Sequence, residues 1–347
     1  MAAGIKDVAA RAGVSVGTVS NVLNRPDRVA EATRKRVLDA IADLGFVRNE
    51  AARALRAGRS KALGLVMSDL GNPFMATLAH GIELVADSRD TLMTLHSTIG
   101  GPDRTRRHLE QLEEERVQGV LVVTPAEEDL EPIAELVARG TPVVLFAVPG
   151  ERGGLCHVMT DDVLGGLLVA RHLAEGGHRA VTFVGDPNPR PLAARLDGLR
   201  EGLDAAGLPP PAVLETPDLA LASGRWAGER LAALPPRKRP TGVLCANDVL
   251  ALGLLRSLTS AGVHVPDDVA IVGYDDIRFS AAAAVPLTSV RLPAELMGRT
   301  AAELLFDEIE NPGGHLHRHV AFHPELVVRE STAPRRPRRR PARARGG

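Results

Sequence analysis

The hydrophobic positions near the start of the chain repeat with the period of two short helices. Apolar residues recur three or four positions apart over 5–12 and again over 16–24, which is the spacing of one buried helix face. Gly13 suits a left-handed end to the first helix, and Ser15 can cap the second. The apolar positions are Ile5, Val8, Ala9 and Ala12, then Val19, Val22 and Leu23. This pattern predicts a helix-turn-helix, although a helical hairpin that only packs would share it.

A third helical pattern covers 31–44 and completes a small domain over 1–46. Gly45 can end this helix. Its apolar positions are Val37, Leu38, Ile41 and Leu44. A three-helix domain of this size is a compact carrier for a recognition helix that enters the DNA major groove.

A short helical pattern lies in the next segment, 47–60, and is too short to be stable alone in water. Within it, Leu55 lies between Arg53 and Arg56. Minor-groove binders insert an apolar side chain between base steps and place basic groups beside the phosphates. We therefore interpret 47–60 as a hinge helix and linker whose wedge is Leu55. The alternative is that Leu55 packs on the following domain.

The rest of the chain, 61–333, alternates strand-like apolar runs with amphipathic helical patterns. Repeated βα units predict parallel sheets with helices on both faces, and two series of them predict two lobes. Ligands in such sheets bind beyond the carboxyl ends of the strands. The last stretch, from 287–291 to the strand sequence HVAFHPELVV, is expected to cross back between the lobes. The other predicted strands are 62–67, 91–97, 119–124, 142–147, 180–185, 212–216, 242–246 and 269–275.

The net charge of −1 conceals a strong asymmetry along the chain. Residues 1–61 hold 12 Lys and Arg against 6 Asp and Glu, and the tail 334–347 holds seven arginines and no acid, which leaves −14 for 62–333. A basic head on an acidic body indicates that one end meets phosphates. The tail is predicted to be disordered; it either adds nonspecific DNA attraction or is only solvated.

Several classes of protein do not fit this sequence. Two cysteines, Cys156 and Cys245, do not make a disulfide framework, and neither a secretion signal nor a membrane span is visible, so we expect a cytoplasmic protein. No phosphate-binding loop or nucleophile-elbow motif is present, so we predict no enzyme activity and no cofactor. His315, His317 and His319 would share one face of a strand. A metal site is the alternative there, but histidines on a surface strand without Cys or Glu partners are typically solvated, and we assign no metal.

Specific motifs resemble the lactose/galactose repressor (LacI/GalR) family of bacterial transcription regulators. The motifs are IKDVAARAGVSVGTVSNVLN, ATRKRVLDAIADLGF, NEAARALRAG, GLVMSDLGNPF, GVLCANDVLALGLL and VAIVGYDDI. The resemblance implies an N-terminal three-helix helix-turn-helix domain, a hinge helix, and an α/β periplasmic-binding-protein-like core of two doubly wound lobes. It also implies a homodimer, with a tetramer left open, that binds pseudo-palindromic operator DNA and a small effector, with a carbohydrate as the leading candidate.

Candidate site residues follow from the outward helix positions and from the resemblance. Three positions have simpler alternatives: Arg195 can pair with Asp197 or Glu201, and Asn247 and Asp161 can each cap the helix that follows. The candidate DNA-binding residues are Lys6, Ser15, Val16, Gly17, Thr18, Ser20, Asn21, Asn24, Arg53, Leu55 and Arg56. The candidate effector-binding residues are Phe74, Met75, Thr124, Asp161, Arg195, Asn247 and Asp275.

The sequence also departs from the family pattern in the expected pocket. Many sugar-binding members have an acidic and a basic residue where this chain has Ala147 and Val148, and an aromatic ring where it has Leu219. A more apolar pocket weakens the case for an ordinary pyranose. We therefore predict an effector-responsive DNA-binding repressor and keep open a regulator that needs no effector. A pure small-molecule-binding protein or a carbohydrate enzyme fits the basic head and the missing catalytic motifs less well.

Overall fold

The chain divides into two compact units, Met1–Ser60 and Lys61–Gly347. The computed structural model describes residues 3–46, 60–99, 102–123, 129–146, 154–188 and 190–332. Several positions singled out in the sequence lie outside the described residues. These are Arg53, Leu55 and Arg56 of the predicted hinge, Thr124, Ala147, Val148 and the arginine-rich tail.

The first unit contains the three predicted helices. They are α1 (Ile5–Ala12), α2 (Val16–Asn24) and α3 (Glu31–Leu44). Gly13 ends α1 in the left-handed conformation, with φ of 64°, which a glycine adopts without steric cost. Ser15 caps α2, because its hydroxyl accepts a hydrogen bond from the Thr18 amide at 3.1 Å. Val8, Val19 and Val37 are fully buried at the centre of this unit.

The apolar stripe predicted for α3 is wrong at one position. Leu38 leaves 49% of its surface exposed, whereas Val37 and Ala40 are buried. Successive residues of a helix point about 100° apart, so Leu38 turns away from the line that joins Val37 to Ile41 and Leu44. The small side chain of Ala40 takes its place against α1 and α2.

The second unit contains two six-stranded sheets with helices between the strands. The strands are β1 (Ala62–Met67), β2 (Leu92–Ser97), β3 (Gly119–Val123), β4 (Val143–Phe146), β5 (Cys156–Thr160), β6 (Val181–Val184), β7 (Ala212–Leu214), β8 (Gly242–Cys245), β9 (Ala270–Asp275), β10 (Thr288–Arg291), β11 (His319–Phe322) and β12 (Glu325–Val327). The helices are α4 (Pro73–Asp87), α5 (Pro102–Glu114), α6 (Leu130–Ala138), α7 (Asp162–Glu175), α8 (Arg190–Ala205), α9 (Leu221–Ala233), α10 (Asp248–Ser260), α11 (Arg278–Ala281) and α12 (Ala294–Glu310). Within the described ranges, no helix combines the length and hydrophobicity needed to cross a membrane.

The strand order defines a first and a second lobe. The first lobe has the order β11-β5-β4-β3-β1-β2, and the second has β12-β10-β9-β8-β6-β7. All neighbouring strands are parallel except β12, which runs antiparallel to β10. The predicted α/β fold of two doubly wound lobes is therefore confirmed. The carboxyl ends of the parallel strands carry the loops that position a ligand site.

The chain passes between the lobes three times. It crosses after β5 into α7, after β10 into α12, and between β11 and β12. The stretch HVAFHPELVV, predicted as one strand, is therefore two short strands in different sheets. Pro324 separates them, and it lacks the amide proton that a continuous strand would need.

The sequence analysis also missed β5. Its sequence, CHVMT, has one β-branched aliphatic residue and two polar side chains, so it lacks the apolar run typical of a buried parallel strand. It nevertheless pairs with β4 on one side and β11 on the other. The pairing with these two neighbouring strands, and not the local sequence, therefore determines that β5 forms.

Candidate functional site

The exposed surface of α2 carries most of the described DNA-binding candidates. Val16, Gly17 and Asn21 are exposed, and Ser20 is half-buried. The Asn24 side-chain amide donates to the Ser20 carbonyl oxygen at 2.9 Å. These positions are spaced so that they share one side of the helix. Thr18, which also belongs to α2, is half-buried, whereas Ser15, which caps α2, and Lys6 in α1 are exposed.

Gly17 is not required by the packing of the first unit. A Cβ atom built on Gly17 would contact only the Ser15 hydroxyl, at 3.6 Å, which is ordinary van der Waals contact. The residue lies within α2, where glycine is less favourable than alanine by about 0.5–1 kcal/mol. Steric contacts among the described residues therefore do not explain the glycine at this position.

A second candidate site lies at the carboxyl ends of β5, β8 and β9. At its centre, Arg195 from α8 is only 8% exposed. Its Nε donates to Asp162 Oδ1 at 2.8 Å, and its Nη1 donates to the Ala246 carbonyl oxygen at 2.5 Å. The guanidinium lies 3.7 Å from the centre of the Tyr274 ring, and the Tyr274 hydroxyl donates to the same Asp162 oxygen at 2.9 Å. We call this group, together with Asp275, the cleft cluster.

Arg195 forms its ion pair with neither partner expected from the sequence. The guanidinium pairs with Asp162, and Asp197 instead pairs with Arg200. Burial opposes the charge on Arg195, but the acidic groups around it, led by Asp162, outweigh burial and raise its pKa. The residue therefore stays charged, with its Nε and Nη1 groups already satisfied by the protein.

Asp275 ends β9 and contacts the opposite lobe. Its Oδ2 accepts a hydrogen bond from Asn72 Nδ2 at 3.4 Å, and Asn72 belongs to the first lobe. Burial raises the pKa of Asp275 to about 7, although Arg195 acts in the other direction. Its φ of 101° is outside the usual range for a residue with a side chain. Backbone strain of this kind concentrates at functional sites.

The loop after β9 is fixed by a buried carboxylate. Asp248 accepts hydrogen bonds from the Ile277 amide at 2.8 Å and from the Ser280 and Ser289 hydroxyls at 2.7 Å each. Burial raises the pKa of Asp248 to about 6, while these donors favour the ionised form. This network holds the loop that presents Asp275, so Asp248 is a positioning residue.

The remaining described candidates surround the cleft cluster. Asn247 caps α10, since its Oδ1 accepts from the Leu250 amide at 2.8 Å, and its Nδ2 donates to the Leu219 carbonyl oxygen at 3.4 Å. The predicted capping role of Asn247 is confirmed. Asp161 caps α7 in the same way. Phe74 and Met75 are half-buried at the start of α4 and pack against the core.

Sequence reasoning missed three residues that the structure brings into this site. Asp162 belongs to the same acidic pair as the predicted Asp161, and Asn72 immediately precedes the proline of GNPF. Tyr274 is the single tyrosine of the chain. A buried tyrosine hydroxyl requires a hydrogen-bond partner, which is a signal that could have drawn attention to it.

Comparisons with known proteins identify the family of both units. Residues 4–49 match the family model of bacterial regulatory proteins, lacI family, and residues 170–332 match the periplasmic binding protein-like domain. The chain is 32% identical over 337 residues to the HTH-type transcriptional repressor PurR of Aliivibrio fischeri (strain ATCC 700601 / ES114), covering 95% of this chain and 98% of the relative. It is also 32% identical over 340 residues to the HTH-type transcriptional regulator DegA of Bacillus subtilis (strain 168), covering 95% and 98%.

Solved structures of transcriptional regulators also resemble this chain over nearly its whole length. The lac repressor dimer bound to operator and the anti-inducer ONPF superposes with a TM-score of 0.84 at 26% identity, covering 96% of this chain and 99% of that one. The complex of the transcriptional regulator CelR with cellobiose gives 0.69 at 32% identity, covering 95% and 99%. The relatives are regulators rather than enzymes. This chain belongs to the LacI family of bacterial regulatory proteins.

Proposed function

We propose that this protein is a repressor that binds a pseudo-palindromic operator in the cytoplasm as a homodimer. The exposed side of α2 carries the proposal, because it presents a polar surface with one glycine that the described packing does not require. In a helix-turn-helix, the second helix enters the major groove. Residues 1–46 would form the DNA-binding domain, 47–60 the hinge, and 61–333 the effector-binding and dimerisation core.

The side chains of α2 support a specific mode of base reading. Asn21 can make paired hydrogen bonds with the N6 and N7 atoms of adenine, and Val16 can contact a thymine methyl group. Gly17 would let the helix backbone approach the DNA closely. Lys6, whose side chain carries a positive charge and is exposed, would contact a phosphate and so contribute affinity without sequence preference.

The predicted hinge and tail would add further DNA contacts. Leu55 would enter the minor groove between base steps, and Arg53 and Arg56 would hold the flanking phosphates. DNA deformability would then contribute to specificity. The arginine-rich tail would increase attraction to DNA of any sequence, with an affinity that falls as salt rises.

We propose that a small hydroxylated effector binds at the cleft cluster. Asp275 offers a carboxylate acceptor. Arg195 uses its Nε and Nη1 groups for protein acceptors, so Nη2 would be the group that donates to the ligand. Phe74, Met75 and Leu219 would supply apolar contacts. Relatives in this fold bind cellobiose and ribose, but the leucine at 219 makes a differently shaped ligand, less dependent on ring stacking, the better candidate.

The hydrogen bond between the lobes suggests how the effector would act. Asn72 and Asp275 join the first and second lobes at 3.4 Å. A ligand hydroxyl that takes over Asp275 would replace this contact with a bridge through the ligand. Its effect on DNA binding would equal the difference in its affinity for the two arrangements of the lobes.

The DNA-binding proposal is tested by selecting duplexes from a random pool with the full chain. We expect a pseudo-palindrome whose half-sites lie about one helical turn apart. Asn21→Ala should lose discrimination at one base pair of each half-site, at a cost of about 1–3 kcal/mol per contact. Lys6→Ala is the matched control, because losing a phosphate contact should weaken all sequences equally. An asymmetric single site, or equal effects of the two variants, would contradict the proposal.

A further inference from the structure

Three side chains with metal-binding chemistry meet at the amino-terminal end of β5, away from the cleft cluster. Cys156 is the first residue of β5, and His315 and His317 lie between α12 and β11. The distance from Cys156 Sγ is 3.2 Å to His315 Nε2 and 4.0 Å to His317 Nδ1. All three ligand atoms lie within 4.8 Å of one another.

This arrangement corrects the expectation drawn from the sequence. The histidines do not share one strand face, because β11 begins only at His319, whose ring packs against His157 instead. The chain bends between α12 and β11, and this bend brings His315 and His317 onto the sulfur atom. The sequence gives no sign of this meeting, since Cys156 lies 159 residues before His315.

A carboxylate lies beside the same nitrogen atom. Glu308 Oε2 is 4.0 Å from His315 Nε2. This oxygen is buried and accepts no hydrogen bond from the described residues. A buried carboxylate oxygen without a donor is costly, and a cation at this position would remove the cost.

The neighbouring groups orient the histidine and the thiol for coordination. His315 Nδ1 lies 2.7 Å from Asp307 Oδ2, which assigns the proton to Nδ1 and leaves the Nε2 lone pair directed at the sulfur. A carboxylate that accepts from the second nitrogen is the usual partner of a metal-bound histidine. The Arg318 amide donates a hydrogen bond to Cys156 Sγ at 3.2 Å and so fixes the position of the sulfur atom.

We propose that this cluster binds one Zn²⁺ ion. The four ligands are Cys156 Sγ, His315 Nε2, His317 Nδ1 and a carboxylate oxygen of Glu308. A tetrahedral site with metal–ligand bonds of about 2.0–2.3 Å needs ligand atoms roughly 3.5 Å apart. The atoms of Cys156, His315 and His317 already lie within 4.8 Å of one another, and the Glu308 side chain would rotate toward them to complete the site. Sulfur and imidazole donors favour zinc over Mg²⁺ and Ca²⁺. Binding replaces the thiol proton, which leaves to solvent.

The site would fasten together three elements that lead to the crossings between the lobes. Cys156 starts β5, Glu308 lies near the end of α12, and the two histidines precede β11. Each of these elements adjoins one of the three crossings. Zinc would therefore fasten these elements to one another at the ends that lie away from the crossings, opposite the cleft cluster along β5.

Cobalt substitution in the full-length protein tests the proposal. After treatment with EDTA, the chain is titrated with Co²⁺ without oxygen, and then with Zn²⁺. We expect one equivalent of cobalt to produce a thiolate-to-cobalt charge-transfer band and the intense visible bands of a tetrahedral site, both lost as zinc displaces cobalt. Absence of binding, or weak octahedral bands without the thiolate band, would overturn the proposal.

Two pairs of variants show which residues form the site. Cys156→Ser should abolish the thiolate band, and Cys245→Ala, which removes the other cysteine, should keep it. Because Cys156 is buried and its replacement can disturb folding, Asp307→Asn provides an independent test. It should keep the spectrum and weaken zinc binding by about 10–100-fold, whereas His319→Gln should leave the affinity unchanged. A thiolate band lost only in Cys245→Ala, or equal affinities in Asp307→Asn and the parent, would contradict the assigned ligands.

Discussion

Replacing Arg195 with alanine is expected to lower the free energy of unfolding of the second unit by about 3–5 kcal/mol. Arg195 is 8% exposed and its partner Asp162 is 6% exposed. Removing one member of a buried ion pair leaves the other as an uncompensated charge. The substitution also removes the stacking contact with the Tyr274 ring. Urea unfolding of the parent and the variant measures the effect.

Arg200→Ala is the matched control for this prediction. Arg200 lies on the same helix and pairs with Asp197 at 3.0 Å, but the two side chains are 51% and 63% exposed. An exposed pair contributes no more than about 1 kcal/mol. Equal losses of stability in the two variants would show that the buried pair is not a structural ion pair. Loss of ligand binding in Arg195→Ala is therefore evidence about the cleft only if the variant is folded.

Replacing Asp275 with asparagine is expected to remove a pH dependence of stability of about 2–3 kcal/mol between about pH 5 and pH 8. The pKa of Asp275 is raised from 3.8 to about 7, mainly by burial. Between these two values the folded protein holds a proton that the unfolded chain has released. The protonated Asp275 side chain therefore contributes its full stabilisation below a pH of about 3.8. This contribution is lost as pH rises through about 7.

The measurement is the free energy of unfolding of parent and variant across that pH range. Relative to the parent, Asp275→Asn should become progressively more stable as pH rises, because the asparagine carries no charge to bury. Asp204→Asn, at an exposed position on α8, should follow the parent at every pH. A constant difference between Asp275→Asn and the parent would show that Asp275 is ionised throughout.

The head and the sheets could be predicted from sequence because their signals are local. The helix-turn-helix follows from apolar spacing, a glycine with positive φ at 13 and a capping serine at 15. Most strands follow from short apolar runs between helical patterns. The same local rules fail for β5, whose side chains are mixed and whose pairing with β4 and β11 defines it.

The side-chain partners in the cleft cluster could not be predicted from the sequence, because they depend on contacts between residues far apart in the chain. Asp162 and Arg195 are 33 residues apart in sequence, and Asn72 and Asp275 are 203 apart. No periodicity links such positions. The sequence identified Arg195 and Asp275 as candidates through the family resemblance, but not that Arg195 is already paired or that Asp275 contacts the first lobe.

The central proposal is that a ligand at the cleft cluster controls affinity for the operator. The most direct measurement is an operator titration of the full chain with and without ligands found in a panel of sugars, sugar acids and nucleosides. We predict that at least one ligand changes the operator dissociation constant by at least about fivefold, and that Asp275→Asn abolishes the change while leaving operator affinity without ligand unaltered. A ligand whose binding requires Asp275 but which leaves the operator dissociation constant unchanged would contradict the account.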